Sequence, residues 1–121
     1  MAEKLPQRIE KPWGYELIFA HTAQYAGKVI FVKKGHRLSL QYHRTKDETI
    51  YIQEGRALLE IGTDGQMVKS ELLKGSCFRV SPPTRHRLIA AEDTLLFEVS
   101  TPELEDIERL ADDYGRTSKN G

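Results

Sequence analysis

Gln41, His43 and Glu48 carry side chains that can hold a metal ion, and their spacing lets them converge. Side chains alternate along a strand, so Gln41 and His43 share a face if residues 37–43 are extended. Ser39, Gln41 and His43 then lie on one side, and Leu38, Leu40 and Tyr42 on the other. Glu48 follows a four-residue connection, Arg44-Thr45-Lys46-Asp47. Read as a hairpin, that connection returns Glu48 beside His43 on the neighbouring strand. On its own strand Glu48 has the parity of Ile50 and Ile52, which points it inward. A carboxylate among apolar side chains is costly unless paired or bound to a cation, and the inward histidine beside it makes a cation the simplest partner. His86, placed at a strand start after Pro82-Pro83, is the expected fourth ligand. The alternative is that both histidines are satisfied interior residues. An amide oxygen, two imidazoles and a carboxylate suit one divalent ion, whether zinc, manganese, iron or nickel.

Other residues are candidates for chemistry around such an ion. Lys46, two residues before Glu48, is a candidate proton-transfer group together with Glu48, or else a solvated turn lysine. Ser39 shares the inward face and can bond a substrate, or simply fill the strand. Arg85, Arg87 and Arg116 can each clamp an anion such as phosphate through paired N–H groups. Ser39, Arg85 and Arg116 form the expected substrate-binding set. Trp13 is expected to pack an end of the fold, Tyr51 to face outward at a subunit contact, and Cys77 to sit in a core strand. His21 and His36 are expected to be exposed, and Asp112-Asp113 to end a helix in solvent.

The elements that must position these residues read as short strands. Val29–Val32 is β-branched and aromatic and stops at Lys34-Gly35; Thr49–Gln53 stops at Glu54-Gly55. Ala57–Ile61 leads through Thr63-Asp64-Gly65, a hairpin signal, into a return strand through Met67 and Val68. Gly75 opens a strand through Cys77 and Val80, Pro82-Pro83 interrupts, and strands follow near His86–Ala90 and Thr94–Ser100. Many short strands with regular turn signals indicate an all-β sandwich or barrel. One helix is expected over about 102–112: Thr101 as N-cap, Pro102 at the first turn, then Leu104, Ile107, Leu110 and Ala111 at helical spacing. The tail from Thr117 is polar and expected to fray. With no repeat or linker, residues 1–121 read as one domain with a core over about 11–100.

Lys plus Arg and Asp plus Glu each total 18, so the net charge is zero and the basic footprint of a nucleic-acid binder is missing. The apolar runs are too short to span a bilayer, and the N-terminus has no signal-peptide pattern. The lone cysteine rules out an internal disulfide framework. A soluble cytoplasmic protein is expected, with no nucleic-acid or membrane partner.

These residues together resemble the cupin superfamily. Gly35, Gln41-Tyr42-His43, Glu48 and Gly55 fit its first motif; Gly75 through His86 fits the spacing of its second, with Ser81, Pro83 and Ala90 at positions where other residues are usual. The chain is most similar to the cupin domain of type II phosphomannose isomerases, the C-terminal part of bifunctional mannose-1-phosphate guanylyltransferases. Lys11-Pro12-Trp13-Gly14-Tyr15-Glu16 resembles that domain's opening, and Leu38-Ser39-Leu40-Gln41 with His43 its metal strand. Glu105-Asp106-Ile107 with Arg109, followed by Asp113-Tyr114-Gly115-Arg116, resembles its C-terminal signature. Arg44 and Thr45 stand where that family carries histidines, and Lys46 where it carries arginine. The resemblance implies a cupin (jelly-roll-like) barrel, a homodimer, and a metal-dependent isomerase acting on a sugar phosphate through an enediolate. The alternatives it leaves are a non-catalytic metal-binding cupin for a sugar, sugar phosphate or nucleotide sugar, and a cupin dioxygenase.

Overall fold

The computed structural model describes residues 4–63 and 65–116. The strands are β1 Gln7–Lys11, β2 Gly14–His21, β3 Ala26–Val32, β4 Leu40–Tyr42, β5 Glu48–Glu54, β6 Arg56–Thr63, β7 Gln66–Leu73, β8 Cys77–Val80, β9 Arg85–Ala90, β10 Thr94–Ser100 and β11 Glu108–Ala111. They form two antiparallel sheets, ordered β1-β2-β3-β10-β5-β8 and β11-β4-β9-β6-β7. The two inner faces enclose an apolar core in which Val32, Ile52 and Leu96 are fully buried beside Trp13 and Leu88. Burying each such side chain stabilises the fold by roughly 1.5–3 kcal/mol. No helix among the described residues is long and apolar enough to cross a membrane.

Period-two alternation accounts for most strands. In β5, Glu48, Ile50 and Ile52 are buried while Thr49 and Tyr51 are exposed, as parity requires. Gly55 joins β5 to β6 with φ near +97°, and a Cβ there would collide with the Asp93 carbonyl oxygen. Only glycine meets both conditions. β6 and β7 pair from Arg56↔Leu73 to Thr63↔Gln66 as a hairpin. Its tip at Asp64 and the tail from Thr117 lie outside the described residues.

Several expectations need correction. The connection 44–47 is no hairpin, because β4 and β5 belong to opposite sheets. The turn crosses the barrel, and Glu48 approaches His43 from the facing wall. The stretch 37–43 is a strand only over Leu40–Tyr42, with an isolated bridge from Arg37 to Ile89.

The helix over 102–112 does not form. Residues 101–107 run through short turns, and β11 pairs antiparallel with β4 through Glu108↔Tyr42 and Arg109↔Gln41. A helix would satisfy its own backbone but leave the β4 edge open; pairing satisfies both, and this tertiary gain outweighs weak local propensity. Thr101 caps no helix. Its hydroxyl accepts a hydrogen bond from the Asp47 N–H at 3.0 Å, which ties down the crossing turn.

Four further residues sit differently from expectation. Cys77 is exposed, because its register partner Tyr51 lies on the outer face of β5. His21 and His36 are half-buried; the His21 Nε2 lies 3.1 Å from the Pro102 carbonyl and the His36 Nδ1 2.6 Å from the Tyr114 hydroxyl. The Asp112 carboxylate is buried and accepts hydrogen bonds from the Arg116 backbone N–H and guanidinium.

Candidate metal centre

The inner face of the β4 segment is polar where a core strand would be apolar. Ser39, Gln41 and His43 are buried, while Leu38, Leu40 and Tyr42 are only half-buried. Gln41 stands directly opposite His86 on β9, so both side chains leave the same sheet together. From the facing sheet Glu48 brings its Oε1 to 2.7 Å from the His43 Nε2. The nearest ligand atoms of His43, Glu48 and His86 all lie within 4.8 Å of one another, and all three residues are buried.

Each histidine is oriented by a backbone carbonyl. The His43 Nδ1 donates to Asp106 O at 2.6 Å, and the His86 Nδ1 donates to Thr84 O at 3.2 Å. Those bonds turn the Nε2 of each ring toward the cavity, the usual arrangement for imidazole ligands. The Gln41 Oε1 is buried without a hydrogen-bond partner, and the His43 Nε2 and Glu48 Oε1 are buried facing each other at 2.7 Å. Converging acceptors of this kind are what a cation satisfies, so the donor set fits a divalent metal.

Charge is arranged to keep these groups ready to ligate. Burial holds the His86 imidazole down at about 4, against the pull of the Glu48 carboxylate and the Thr84 carbonyl, so the ring is neutral near pH 7. Burial disfavours charge on Glu48, but contact with His43 and the Lys46 ammonium prevails and holds its carboxyl at about 2. Lys46 is buried between two carboxylates, its Nζ 3.3 Å from Glu48 and 2.9 Å from Glu98. Burial works against its charge, yet Glu98 and Glu48 together raise its pKa above the ordinary lysine value. Burial and the nearby Glu48 charge push the Glu98 carboxyl up, opposed by Lys46 and Lys28.

The four candidate ligand residues open onto one cavity. It is also lined by Ser39, Lys46 and Glu98, and by the cations Lys11, Lys28, Arg109 and Arg116. Lys28 is paired with Glu16 at 2.9 Å, and Lys11 lies 3.8 Å from the same carboxylate. Burial, then the Arg116 charge, lowers the Arg109 pKa. Among the expected residues, Gln41, His43, Glu48, His86, Lys46, Ser39 and Arg116 therefore share one cavity. Arg85, at the start of β9, is not in its lining. Arg87 serves the fold instead, donating to the carbonyls of Leu38 and Ala111.

Glu98, Lys28 and Glu16 obey the same strand parity that turns Glu48 inward, and that parity is the signal for them in the sequence. Glu98 alternates with Thr94 and Leu96, Lys28 with Ile30 and Val32, and Glu16 with Ile18, which are all inward positions. Arg109 carried a signal only as part of the C-terminal motif, and its expected place on a helix hid its direction.

Residues 2–112 match the protein-family model described as mannose-6-phosphate isomerase C-terminal. No curated protein matches the chain. KdgF from Halomonas sp. has the same fold, with a TM-score of 0.72 and 24% identity over 83% of this chain and 89% of that one. The capsular polysaccharide assembling protein CapF from Staphylococcus aureus matches at 0.72 and 16% identity, over 87% of this chain and 34% of its own. Bacillus subtilis oxalate decarboxylase, a protein with Mn(II) centres, matches at 0.75 and 19%, over 86% of this chain and 30% of its own. The chain thus spans about a third of the latter two proteins.

Proposed function

The chain belongs to the mannose-6-phosphate isomerase C-terminal family of cupin barrels, and from that premise we propose that it is a metal-dependent isomerase of sugar phosphates. The observation that carries the reading is one cavity lined both by the donor set Gln41, His43, Glu48 and His86 and by the cations Lys11, Arg109 and Arg116. A sugar phosphate asks for both, a Lewis acid at the carbonyl and positive charge at the phosphate. The Mn(II) centres of oxalate decarboxylase on the same fold support a metal here.

Bound by these four residues, a divalent ion supplies Lewis-acid polarisation of the sugar carbonyl. The residues of the chain then divide the remaining work. Arg116 and Arg109, with Lys11, hold the phosphate through charge-assisted hydrogen bonds. Lys46 stays protonated between Glu48 and Glu98 and therefore acts as a donor, not as the base. Glu98 is the buried cavity carboxylate whose pKa is raised, which suits a group that takes a proton and returns it. It removes the proton from the carbon next to the carbonyl, and the C–H electron pair forms the enediolate double bond as the carbonyl π pair moves onto its own oxygen. The proton then returns to the former carbonyl carbon while the neighbouring hydroxyl gives its proton to the former carbonyl oxygen, so the new carbonyl forms one carbon along. Aldose becomes ketose with no net change in protons. Glu48, held ionised, serves as a ligand.

Metal-loaded protein should interconvert mannose 6-phosphate and fructose 6-phosphate in a coupled assay. Glu98→Gln should abolish turnover while retaining metal. If no aldose–ketose sugar-phosphate pair is interconverted, the isomerase reading is sunk. A second reading, a sugar-phosphate binder without turnover, draws on Arg44 and Thr45. These stand where the family carries histidines, and both are exposed and outside the cavity lining. Calorimetry showing binding of mannose 6-phosphate, with no product formed, would select it.

A further inference from the structure

The end of β11 and the loop after it, residues 111–116, are tied down along their whole length. The Arg87 guanidinium donates to the Ala111 carbonyl at 3.1 Å. Asp113 accepts two hydrogen bonds from Arg37, at 2.7 and 2.8 Å. Tyr114 packs against the core, and its hydroxyl lies 2.6 Å from the His36 Nδ1. Gly115 turns the chain with φ near +74°, a conformation that favours glycine, and its N–H donates to the Asp112 carbonyl at 3.3 Å. Of these residues, Arg116 alone lines the cavity.

Arg116 is held there by Asp112, whose side chain is wholly buried. The Asp112 carboxylate accepts the Arg116 backbone N–H at 2.8 Å, its Nε–H at 3.0 Å and an Nη2–H at 2.9 Å. These bonds keep the carboxyl below the ordinary aspartate value although burial opposes this, so it stays charged. The paired bonds fix the plane of the guanidinium, whose carbon also sits 5.6 Å from the centre of the Tyr114 ring. They use one edge of the fork. The other edge, Nη1 with the second N–H of Nη2, remains for another bidentate partner.

We propose that Asp112 is a positioning residue, which holds the Arg116 guanidinium in the orientation that receives the phosphate of the substrate. The proposal rests on the assignment of Arg116 to the phosphate, and it adds what makes that contact effective. An arginine free in solvent loses rotamer freedom when it grips an anion, whereas here that freedom is already lost on folding. Charge alone gives no reason for Asp112. A buried carboxylate beside an anion-binding guanidinium repels the anion, so point-charge attraction predicts tighter phosphate binding once the carboxylate is neutralised. Positioning predicts weaker binding. The two explanations therefore differ in sign.

The test is binding of inorganic phosphate and of mannose 6-phosphate to the full chain, read by calorimetry and so independent of turnover. Asp112→Asn keeps the shape and removes the charge, and it should weaken both about three- to tenfold. Arg116→Ala should weaken both at least as much, and so should Arg116→Lys, because an ammonium cannot make the paired contact with Asp112. The double variant Asp112→Asn/Arg116→Ala should bind no more weakly than Arg116→Ala alone, since Asp112 acts only through the arginine. Metal affinity and circular dichroism should match wild type in each variant. Tighter phosphate binding by Asp112→Asn would show that the carboxylate merely offsets charge, and would overturn the proposal. Additive losses in the double variant, wild-type affinity in Arg116→Lys, or a wild type that binds neither probe would overturn it equally. A wild type that binds both probes with this pattern, yet interconverts no sugar phosphate, would support the positioning role and refute the isomerase reading alone.

Discussion

The His43 imidazole donates from Nδ1 to the backbone carbonyl of Asp106, 63 residues away, at 2.6 Å. The Asp106 carboxylate meanwhile accepts the backbone N–H groups of Arg44, Thr45 and Lys46 at 3.0, 2.7 and 2.9 Å. One residue thus orients a candidate ligand with its main chain and holds the crossing turn with its side chain. The three N–H bonds keep its carboxyl below the ordinary aspartate value although burial opposes this.

Asp106→Ala should therefore weaken the metal site without touching a ligand. Loss of three charge-assisted bonds should destabilise the protein by about 1–3 kcal/mol. Disorder of the turn and of the His43 ring should lower metal affinity about 10–100-fold, as for other residues that orient ligands. Thermal melts with and without metal, together with chelator competition, separate the two effects. Unchanged affinity would show that the Asp106 contact does not position His43.

Removal of single donors should rank them. His43→Ala, His86→Ala and Glu48→Ala should each leave less than a tenth of the metal measured in wild type by elemental analysis. Gln41→Ala should retain a substantial fraction, because a neutral amide oxygen contributes least to the site's charge. Equal loss in all four would give Gln41 a weight its chemistry does not suggest.

Lys46→Met should be among the more damaging substitutions in the barrel. It leaves Glu48 and Glu98 facing each other without their shared cation, and breaking a buried pair from one side costs about 3–5 kcal/mol. The double variant Lys46→Met/Glu98→Gln should recover a large part of that loss, measured by urea unfolding as a double-mutant cycle. Additive effects would mean that the 2.9 Å contact contributes no coupling.

The metal-free protein should lose stability as the pH falls from about 6.5 to about 4. His86 is neutral when folded down to about 4, while the unfolded chain takes up its proton near 6.5. The unfolded state therefore binds more protons in that window, and stability falls with pH by up to about 3 kcal/mol. The carboxyl of Glu48, depressed to about 2, adds its own loss only below about 4.5. Glu98, whose carboxyl is raised, works in the opposite direction. Comparison with His86→Asn isolates the histidine: the variant's stability should vary less between pH 6.5 and 4 than that of wild type. Parallel pH profiles would refute the assignment.

The candidate metal donors were legible because they obey local rules. Parity along a strand was enough to turn Gln41, His43 and Glu48 inward, and a strand start after Pro82-Pro83 was enough to expose His86 to the interior. The same rule applied to β2, β3 and β10 would have found Glu16, Lys28 and Glu98. An isolated inward charge with no histidine near it in sequence carries no chemical suggestion of its own. The segment 101–111 misled for the opposite reason. Its N-cap residue and apolar spacing favour a helix locally, but the open β4 edge and the N–H groups of 44–46 offered its backbone and Asp106 stronger partners.

What the sequence determined by itself was an all-β barrel, the inward direction of its candidate metal donors and, through its motifs, its family. Those follow from side-chain alternation and turn chemistry, which act over a few residues. The tertiary structure alone decided that Glu48 meets His43 across the barrel, that Lys46 is locked between Glu48 and Glu98, and that Arg109 and Arg116 share the cavity of the candidate donors. Each of these depends on which segments of the chain become neighbours, and that is set by the burial and pairing of the whole chain.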